Sequence, residues 1–166
     1  MLFNTLDFII FFAIIVGSIS FFRFRNFQHI LIIVSSLYFL FYTDNFLVTL
    51  LISTILLHFY IGREIYKSKD PKIRKIFLIV GILGSLSLLG FFKYYDFAIT
   101  QFNIFGNLLN LDSQIPLLNW ALPIGISFYT FQSLSYIIDI YRGNLEPSKS
   151  LKEYAFFVAF FPSLVS

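Results

Sequence analysis

Long apolar stretches broken by short polar clusters organise this chain. Apolar runs cover 6–22, 27–42, 46–61 and 76–92, and a longer one covers 116–141. Each is too long for a strand, so the pattern predicts helices. Thr43, Asp44 and Asn45 separate the second run from the third as a turn-forming cluster. The second and third runs hold about 16 residues each. That is short of the roughly 20 needed to cross a bilayer, but flanking Tyr, Arg and Asn can reach the headgroups. The fourth run carries Gly81, Gly84, Ser85, Ser87 and Gly90, small residues that let helix backbones approach in lipid. The segment 97–111 mixes Gln101, Asn103, Gly106, Asn107 and Asn110 into an apolar background and is expected to be a short interfacial or reentrant helix. Pro123 suits the first turn of the 116–141 span. A last run, 154–165, is expected to begin a further span, with Pro162 near its end.

Composition turns this pattern into a statement about solvent. Of 166 residues, 58% are apolar and only 13% charged. Soluble domains hold about a quarter charged residues. The chain has 24 Phe and 10 Tyr, and its mean hydropathy is +0.81. A domain of this size cannot hide that much apolar surface in its own core. An ordinary water-soluble globule, a disordered chain and a nucleic-acid-binding module are therefore excluded. The expected fold is all-α, a polytopic transmembrane helical bundle of five spans and the start of a sixth. The segment 6–22 is read as a retained span, because a signal peptide carries its positive charge before the apolar stretch and Arg23 and Arg25 follow it here. The chain stops inside an apolar run, so it is expected to be a fragment truncated on its C-terminal side.

The net charge of +3 is small, but its placement is informative. Arg23 and Arg25 precede the second span. Arg63, Lys67, Lys69, Lys72, Arg74 and Lys75 join the third span to the fourth, and Arg142, Lys149 and Lys152 follow Tyr141. Asp44, Asp96 and Asp112 occupy the opposite connections, with Lys93 the exception. Lys and Arg are retained in the cytoplasm, so the N-terminus is expected to face outward. The basic loops read more simply as topology signals than as a nucleic-acid patch. With no cysteine and only two histidines, neither a metal site nor a cysteine nucleophile is expected.

Chemistry concentrates in the 116–141 span. Wound at about 100° per residue from Gln132, Gly125 falls near 20°, Tyr129 near 60°, Tyr136 near 40° and Asp139 near −20°. Ile124, Ser127, Thr130, Leu134, Ile137 and Ile138 take the other side. A stripe of Tyr129, Gln132, Tyr136 and Asp139 in a lipid-immersed helix should face protein or a wet cavity. Two readings stand: the stripe lines a path for a polar substrate or acyl donor, or it is interhelical glue. Asp139, a turn before Arg142, could instead be a helix-end charge partner. His58 is a functional candidate by its place in an apolar helix, although Thr54 four residues earlier and the nearby Arg63 suit a structural, hydrogen-bonded histidine. His29 belongs to the first basic connection and is expected at the interface. No Ser/His/Asp set follows from sequence spacing.

The stretch Leu122-Pro-Ile-Gly-Ile-Ser-Phe-Tyr-Thr-Phe-Gln-Ser-Leu-Ser-Tyr-Ile-Ile-Asp-Ile-Tyr-Arg-Gly143 resembles the signature of the membrane-bound O-acyltransferases, in the branch with the alginate O-acetyltransferase membrane subunit. Three pieces agree in order: 3–8, Gly90-Phe-Phe-Lys-Tyr-Tyr-Asp-Phe97 and Tyr154-Ala-Phe-Phe-Val-Ala-Phe-Phe-Pro162. In the family the last of these runs on into a Gly-Pro pair, whereas Ser163 to Ser166 follow here. The resemblance covers this whole chain and the N-terminal part of a longer helical bundle around a tunnel. It implies acetyl transfer from a cytoplasmic acyl donor, acetyl-CoA or another acyl thioester, to hydroxyls of an exported or cell-surface polysaccharide. It also implies a bacterial inner-membrane location, lipid as the surroundings and secreted or membrane-anchored acetyltransferase partners. Alginate, cellulose, peptidoglycan and teichoic acid remain open as acceptors. The family's reactive histidine lies beyond Ser166, so neither His29 nor His58 inherits it, and Tyr129, Gln132, Tyr136 and Asp139 become candidate tunnel-lining residues. The competing reading is a non-catalytic membrane scaffold or transport subunit that uses the polar helix face as a conduit.

Overall fold

The computed structural model describes residues 6–21, 24–43, 45–108, 115–118 and 125–160. These form six helices: α1 (Leu6–Phe21), α2 (Arg25–Thr43), α3 (Asn45–Lys67), α4 (Pro71–Leu108), α5 (Ile126–Arg142) and α6 (Leu151–Val158). No strand occurs among the described residues, so the all-α expectation holds.

Local chemistry sets the helix ends. The Asp70 carboxylate accepts from the Lys72 N–H at 2.8 Å, and Pro71 occupies the first helical position of α4. Ser150 caps α6 by accepting from the Glu153 N–H at 3.2 Å. Serine at the cap with glutamate three residues on is a helix-start signature. Helix α5 stops at Gly143, whose φ of 80° suits glycine. There Gly143 N–H donates to the Ile140 carbonyl and Asn144 N–H to the Asp139 carbonyl, which satisfies two of the exposed last carbonyls.

α3 is the hub. It packs against α2, α4, α5 and α6, while α1 rests on α2. Leu51, Ile55, Phe59, Ile61 and Ile65 of α3 are buried together with Ile126, Ile137 and Ile140 of α5. Close approach depends on two glycines. A Cβ on Gly81 would lie 2.6 Å from Ile137 Cδ1, and one on Gly62 would lie 2.8 Å from Tyr136 Cε1. The expected small-residue surface of the fourth run is therefore used only in part. Gly81 and Ser85 are buried, whereas Gly84 and Gly90 have no neighbour within 4 Å of an added Cβ. Gly62, which the sequence pattern did not single out, makes the α3–α5 contact.

The outer surface is apolar. Ile76, Val80 and Leu83 are each more than half exposed along α4. Two helical stretches, Val48–Lys67 and Pro71–Leu108, are long and apolar enough to cross a bilayer. Half of the α3 window is buried in the protein but only 17% of the α4 window. An exposed apolar strip of that length has lipid as its natural solvent, and the chain is a membrane protein.

Several boundaries differ from the sequence reading: α3 continues past 61 to Lys67 and α4 starts at Pro71, so most of the expected 62–75 connection is helical. No break separates 76–92 from 97–108, and α4 is one helix of 38 residues, about 57 Å at 1.5 Å per residue. Of the polar residues that suggested a separate element, Asn103 shares a side of this helix with Asp96. There the Asp96 carboxylate accepts from Leu118 N–H at 2.9 Å. The Asn103 amide exchanges two hydrogen bonds with the backbone of Ile115, at 2.8 and 3.0 Å. Those bonds hold 115–118 as a non-helical segment against α4, so the helix expected from 116 begins at Ile126. Pro123, Ile124 and the 109–111 end of the expected interfacial helix lie outside the described residues, as do Phe3 to Thr5 and Phe161 to Ser166. α6 starts three residues before Tyr154, because Ser150 caps it, and ends at Val158.

Candidate functional site

The buried residues of α5 are Ile126, Tyr129, Thr130, Ser133, Leu134, Tyr136, Ile137 and Ile140. They occupy an arc of about 160° at 100° per residue. The expected polar stripe is therefore one flank of a wider buried face. Thr130, Leu134 and Ile137, assigned by pattern to the opposite side, are buried as well, because α5 is wedged among three helices. Phe128 and Phe131 point outward, at 40% and 57% exposure.

Tyr129 and Tyr136 are buried, while Gln132 and Asp139 stand half-buried at the rim of the arc. Gly125, also half-buried, takes the left-handed conformation at the helix start, with φ 75°. The Tyr136 hydroxyl accepts from Ser148 N–H at 3.1 Å, which ties α5 to the segment before α6. Gln132 Nε2 donates to the Phe157 carbonyl of α6 at 2.9 Å. Among the described residues the Asp139 carboxylate has no ion pair, and the only salt bridge is Lys67–Glu64.

α6 brings Tyr154 to this flank. It is fully buried, and its ring centroid is 4.3 Å from that of Tyr136. Tyr129 Oη and Gln132 Oε1 are buried without a hydrogen-bond partner among the described residues, and the buried Ser133 and Tyr154 hydroxyls face only each other. An unsatisfied buried polar group costs about 1–3 kcal/mol. Two of them from the expected stripe, beside a pair of hydroxyls with no other partner among the described residues, make this seam the candidate place for a polar guest. Ser133 and Tyr154 were missed from sequence. Ser133 follows Tyr129 by four residues and precedes Tyr136 by three, so helical spacing could have found it. Nothing in the sequence placed Tyr154 against α5.

His58 belongs to a second polar cluster. It is 1% exposed, with Nδ1 at 2.9 Å from the Thr54 carbonyl and Nε2 at 2.7 Å from Ser85 Oγ on α4. The carbonyl can only accept, so Nδ1 carries a hydrogen, and in the neutral ring Nε2 accepts from the Ser85 hydroxyl. The structural, hydrogen-bonded reading of His58 is what the geometry shows, with Ser85 as the partner that sequence spacing did not reveal. His29 is half-buried and stacks on Phe156 at 4.3 Å between ring centroids. Among the described residues no three His, Asp or Glu side chains gather as metal ligands.

Basic residues tie helix ends to one another. Arg74 Nη2 donates to the Tyr141 carbonyl at 2.8 Å, and the guanidinium lies 5.4 Å from the Tyr141 ring centroid. Lys152 Nζ donates to Asn26 Oδ1. The starts of α2 and α6 therefore lie together, as do the start of α4 and the end of α5.

Comparison with known proteins gives a consistent set of relatives. The chain is 36% identical over 145 residues to the "Probable alginate O-acetylase AlgI" of Pseudomonas syringae pv. tomato, covering 87% of this chain and 27% of that protein. It is 30% identical over 164 residues to the "Peptidoglycan O-acetyltransferase" of Helicobacter pylori, covering 84% of this chain and 30% of that protein. A "Probable alginate O-acetylase AlgI" of Pseudomonas aeruginosa is 35% identical over 145 residues. The chain thus spans less than a third of the length of these curated relatives. No protein-family model and no solved structure matches it.

Proposed function

We propose that this chain, a relative of the alginate and peptidoglycan O-acetyltransferases of the membrane-bound O-acyltransferase type, is part of an enzyme that moves acetyl groups across a membrane onto a glycan. The donor is acetyl-CoA or another acyl thioester on the cytoplasmic side, and the acceptor is a hydroxyl of an exported or cell-surface polysaccharide. The protein sits in a bacterial inner membrane with five spans in this chain and the beginning of a sixth. Its N-terminus faces outward and its basic connections face the cytoplasm. The contacts between these basic helix ends support that orientation. Secreted or membrane-anchored acetyltransferases are the expected partners.

Neither a thioester nor a sugar dissolves in hydrocarbon, so the reaction needs a polar passage. One observation carries the assignment of this chain to its wall: the buried polar seam in which Tyr129 Oη and Gln132 Oε1 have no partner among the described residues and the Ser133 and Tyr154 hydroxyls have only each other. Water or substrate in the passage would satisfy them. Tyr136 and Asp139 continue the wall toward the cytoplasmic end, where Gly143 and Arg74 close the α5 carbonyls. These residues bind and orient. Neither His29 nor His58 is the base that takes the acceptor proton in this reading, since each is committed to a packing contact.

The test is glycan acetylation by cells carrying the full-length protein. Gln132→Leu and Tyr129→Phe should each lower acetyl transfer at least tenfold, about 1.4 kcal/mol in transition-state stabilisation, with unchanged amounts of folded protein. Unchanged transfer in both variants would remove the passage from this seam.

A further inference from the structure

The start of α4 sets positive charge above a face that the bundle leaves bare. Between residues 63 and 75 stand six basic residues against two acidic ones, Glu64 and Asp70. Several of these are already committed. Lys67 pairs with Glu64 at 3.2 Å, Arg63 lies over the Phe59 ring, and Arg74 is taken up by the Tyr141 carbonyl and ring. The Asp70 carboxylate is held by the Lys72 N–H. Lys69, Lys72 and Lys75 are left. All three are exposed, and among the described residues their ammonium groups make no hydrogen bond, ion pair or ring contact. Wound at about 100° per residue from Lys72, Ile76 falls near 40°, Ile79 near −20°, Leu83 near 20°, Leu86 near −40° and Lys75 near −60°. Lys72 and Lys75 therefore head one stripe of aliphatic side chains. Ile76, Ile79, Leu83 and Leu86 are each at least 43% exposed, on the side of α4 opposite Gly81 and Arg74, which meet α5. From Ile76 to Leu86 the stripe runs about 15 Å, the depth of one leaflet of a hydrocarbon core about 30 Å thick. Lys72 stands about 6 Å beyond Ile76 along the axis, at the level of the headgroups.

We propose that this face binds one anionic phospholipid, with its phosphodiester between Lys72 and Lys75 and an acyl chain along Ile76, Ile79, Leu83 and Leu86. An apolar strip alone accepts any lipid or a neighbouring helix. Unpaired ammonium groups at its head favour a ligand with negative charge at the headgroup and hydrocarbon below it, which is the chemistry of an anionic phospholipid. A zwitterionic lipid brings its own cation beside the phosphate and loses most of that attraction. A soluble phosphate gains nothing from the stripe. Lys69, in the turn between α3 and α4, adds charge without sharing the stripe. The site requires only that α4 crosses a bilayer, and it is independent of the reaction proposed above.

The full-length protein is reconstituted in phosphatidylcholine vesicles with a trace of lipid carrying a diazirine on its acyl chain, either phosphatidylglycerol or phosphatidylcholine. After irradiation, the label on the peptide with Ile76 to Leu86 is read by mass spectrometry. Phosphatidylglycerol should label it about tenfold more than phosphatidylcholine. Salt at about 1 M, where the screening length is about 3 Å, should remove most of that preference. Lys72→Gln combined with Lys75→Gln should bring the preference to within about twofold of parity, whereas Lys72→Arg with Lys75→Arg should keep it. Lys149→Gln removes a charge from the exposed connection between α5 and α6 and should also keep it. If the glutamine pair does not fold, the salt series on the wild type carries the test. Equal labelling by the two lipids overturns the proposal, as does a preference that survives loss of both lysines or high salt. A loss as large in Lys149→Gln would make the attraction a property of all the basic residues rather than of this face, and overturns it too. Label displaced by free glycerol phosphate would assign the lysines to a soluble phosphate. A peptide labelled by neither lipid would give the stripe to a neighbouring helix, and either result ends the lipid assignment.

Discussion

The two polar clusters flanking α5 are built in opposite ways. On the α3–α4 side, the His58 ring is bonded at both nitrogens, to the Thr54 carbonyl and to Ser85. On the α6 side, Tyr129 and Gln132 each bury a polar atom with no partner among the described residues, and the Ser133 and Tyr154 hydroxyls have only each other. In lipid a satisfied polar pair is an interhelical tie, because its alternative is an unpaired group in hydrocarbon. An unsatisfied set has no such structural use. The difference separates residues that hold helices together from residues whose polar atoms the described bundle leaves unsatisfied, and the proposed passage is placed along the latter.

The comparison breaks most severely where the two clusters share a wall. Gly81→Val should displace the buried Ile137 side chain between α4 and α5, since its first side-chain atom would lie 2.6 Å from Ile137 Cδ1. We expect a loss of about 3 kcal/mol, read by reversible unfolding in mixed micelles, with both clusters disrupted. Next comes the bonded cluster alone. Ser85→Ala leaves His58 Nε2 buried without a donor and should cost about 2 kcal/mol. Adding His58→Leu should recover much of that loss, because both partners are then apolar. A double variant as unstable as the sum of the singles would show the pair is not a tie.

A smaller effect tests the end of α5. Gly143→Ala has room for its methyl but must hold φ near 80°, so it should cost about 1 kcal/mol. The smallest change in stability is the sharpest for the comparison. Tyr129→Phe removes a hydroxyl that has no partner among the described residues, so it should leave stability unchanged or raise it by up to about 1 kcal/mol. A clear loss of stability would mean that this hydroxyl is a structural tie after all, and the contrast between the clusters would disappear.

Parts of both clusters could be read in the sequence. Tyr129, Gln132 and Tyr136 repeat at helical spacing in an apolar run, which is enough to place them together on one helix. The pattern could not say how many neighbours α5 has. It therefore put Thr130 and Leu134 on an outer side that the bundle buries. Spacing also cannot join His58 to Ser85 across 27 residues, or Tyr154 to Tyr136, because contacts between helices depend on how the rods are set against each other. The same limit explains the boundary near 92. Asp96 and Asn103 look like the polar punctuation of a loop, yet they serve as donors and acceptors for a returning segment.

By itself the sequence determined the solvent and the class. Apolar runs with so few charges can be satisfied only by lipid and by helices that bond their own backbone, and local cap residues such as Asp70, Ser150 and Gly143 set where helices start and stop. Which polar residues are tied and which are left unpaired was decided only when the helices packed. Hydrogen-bond satisfaction depends on a partner's position within about 3 Å, and that position comes from Gly62 and Gly81 letting α5 settle against α3 and α4.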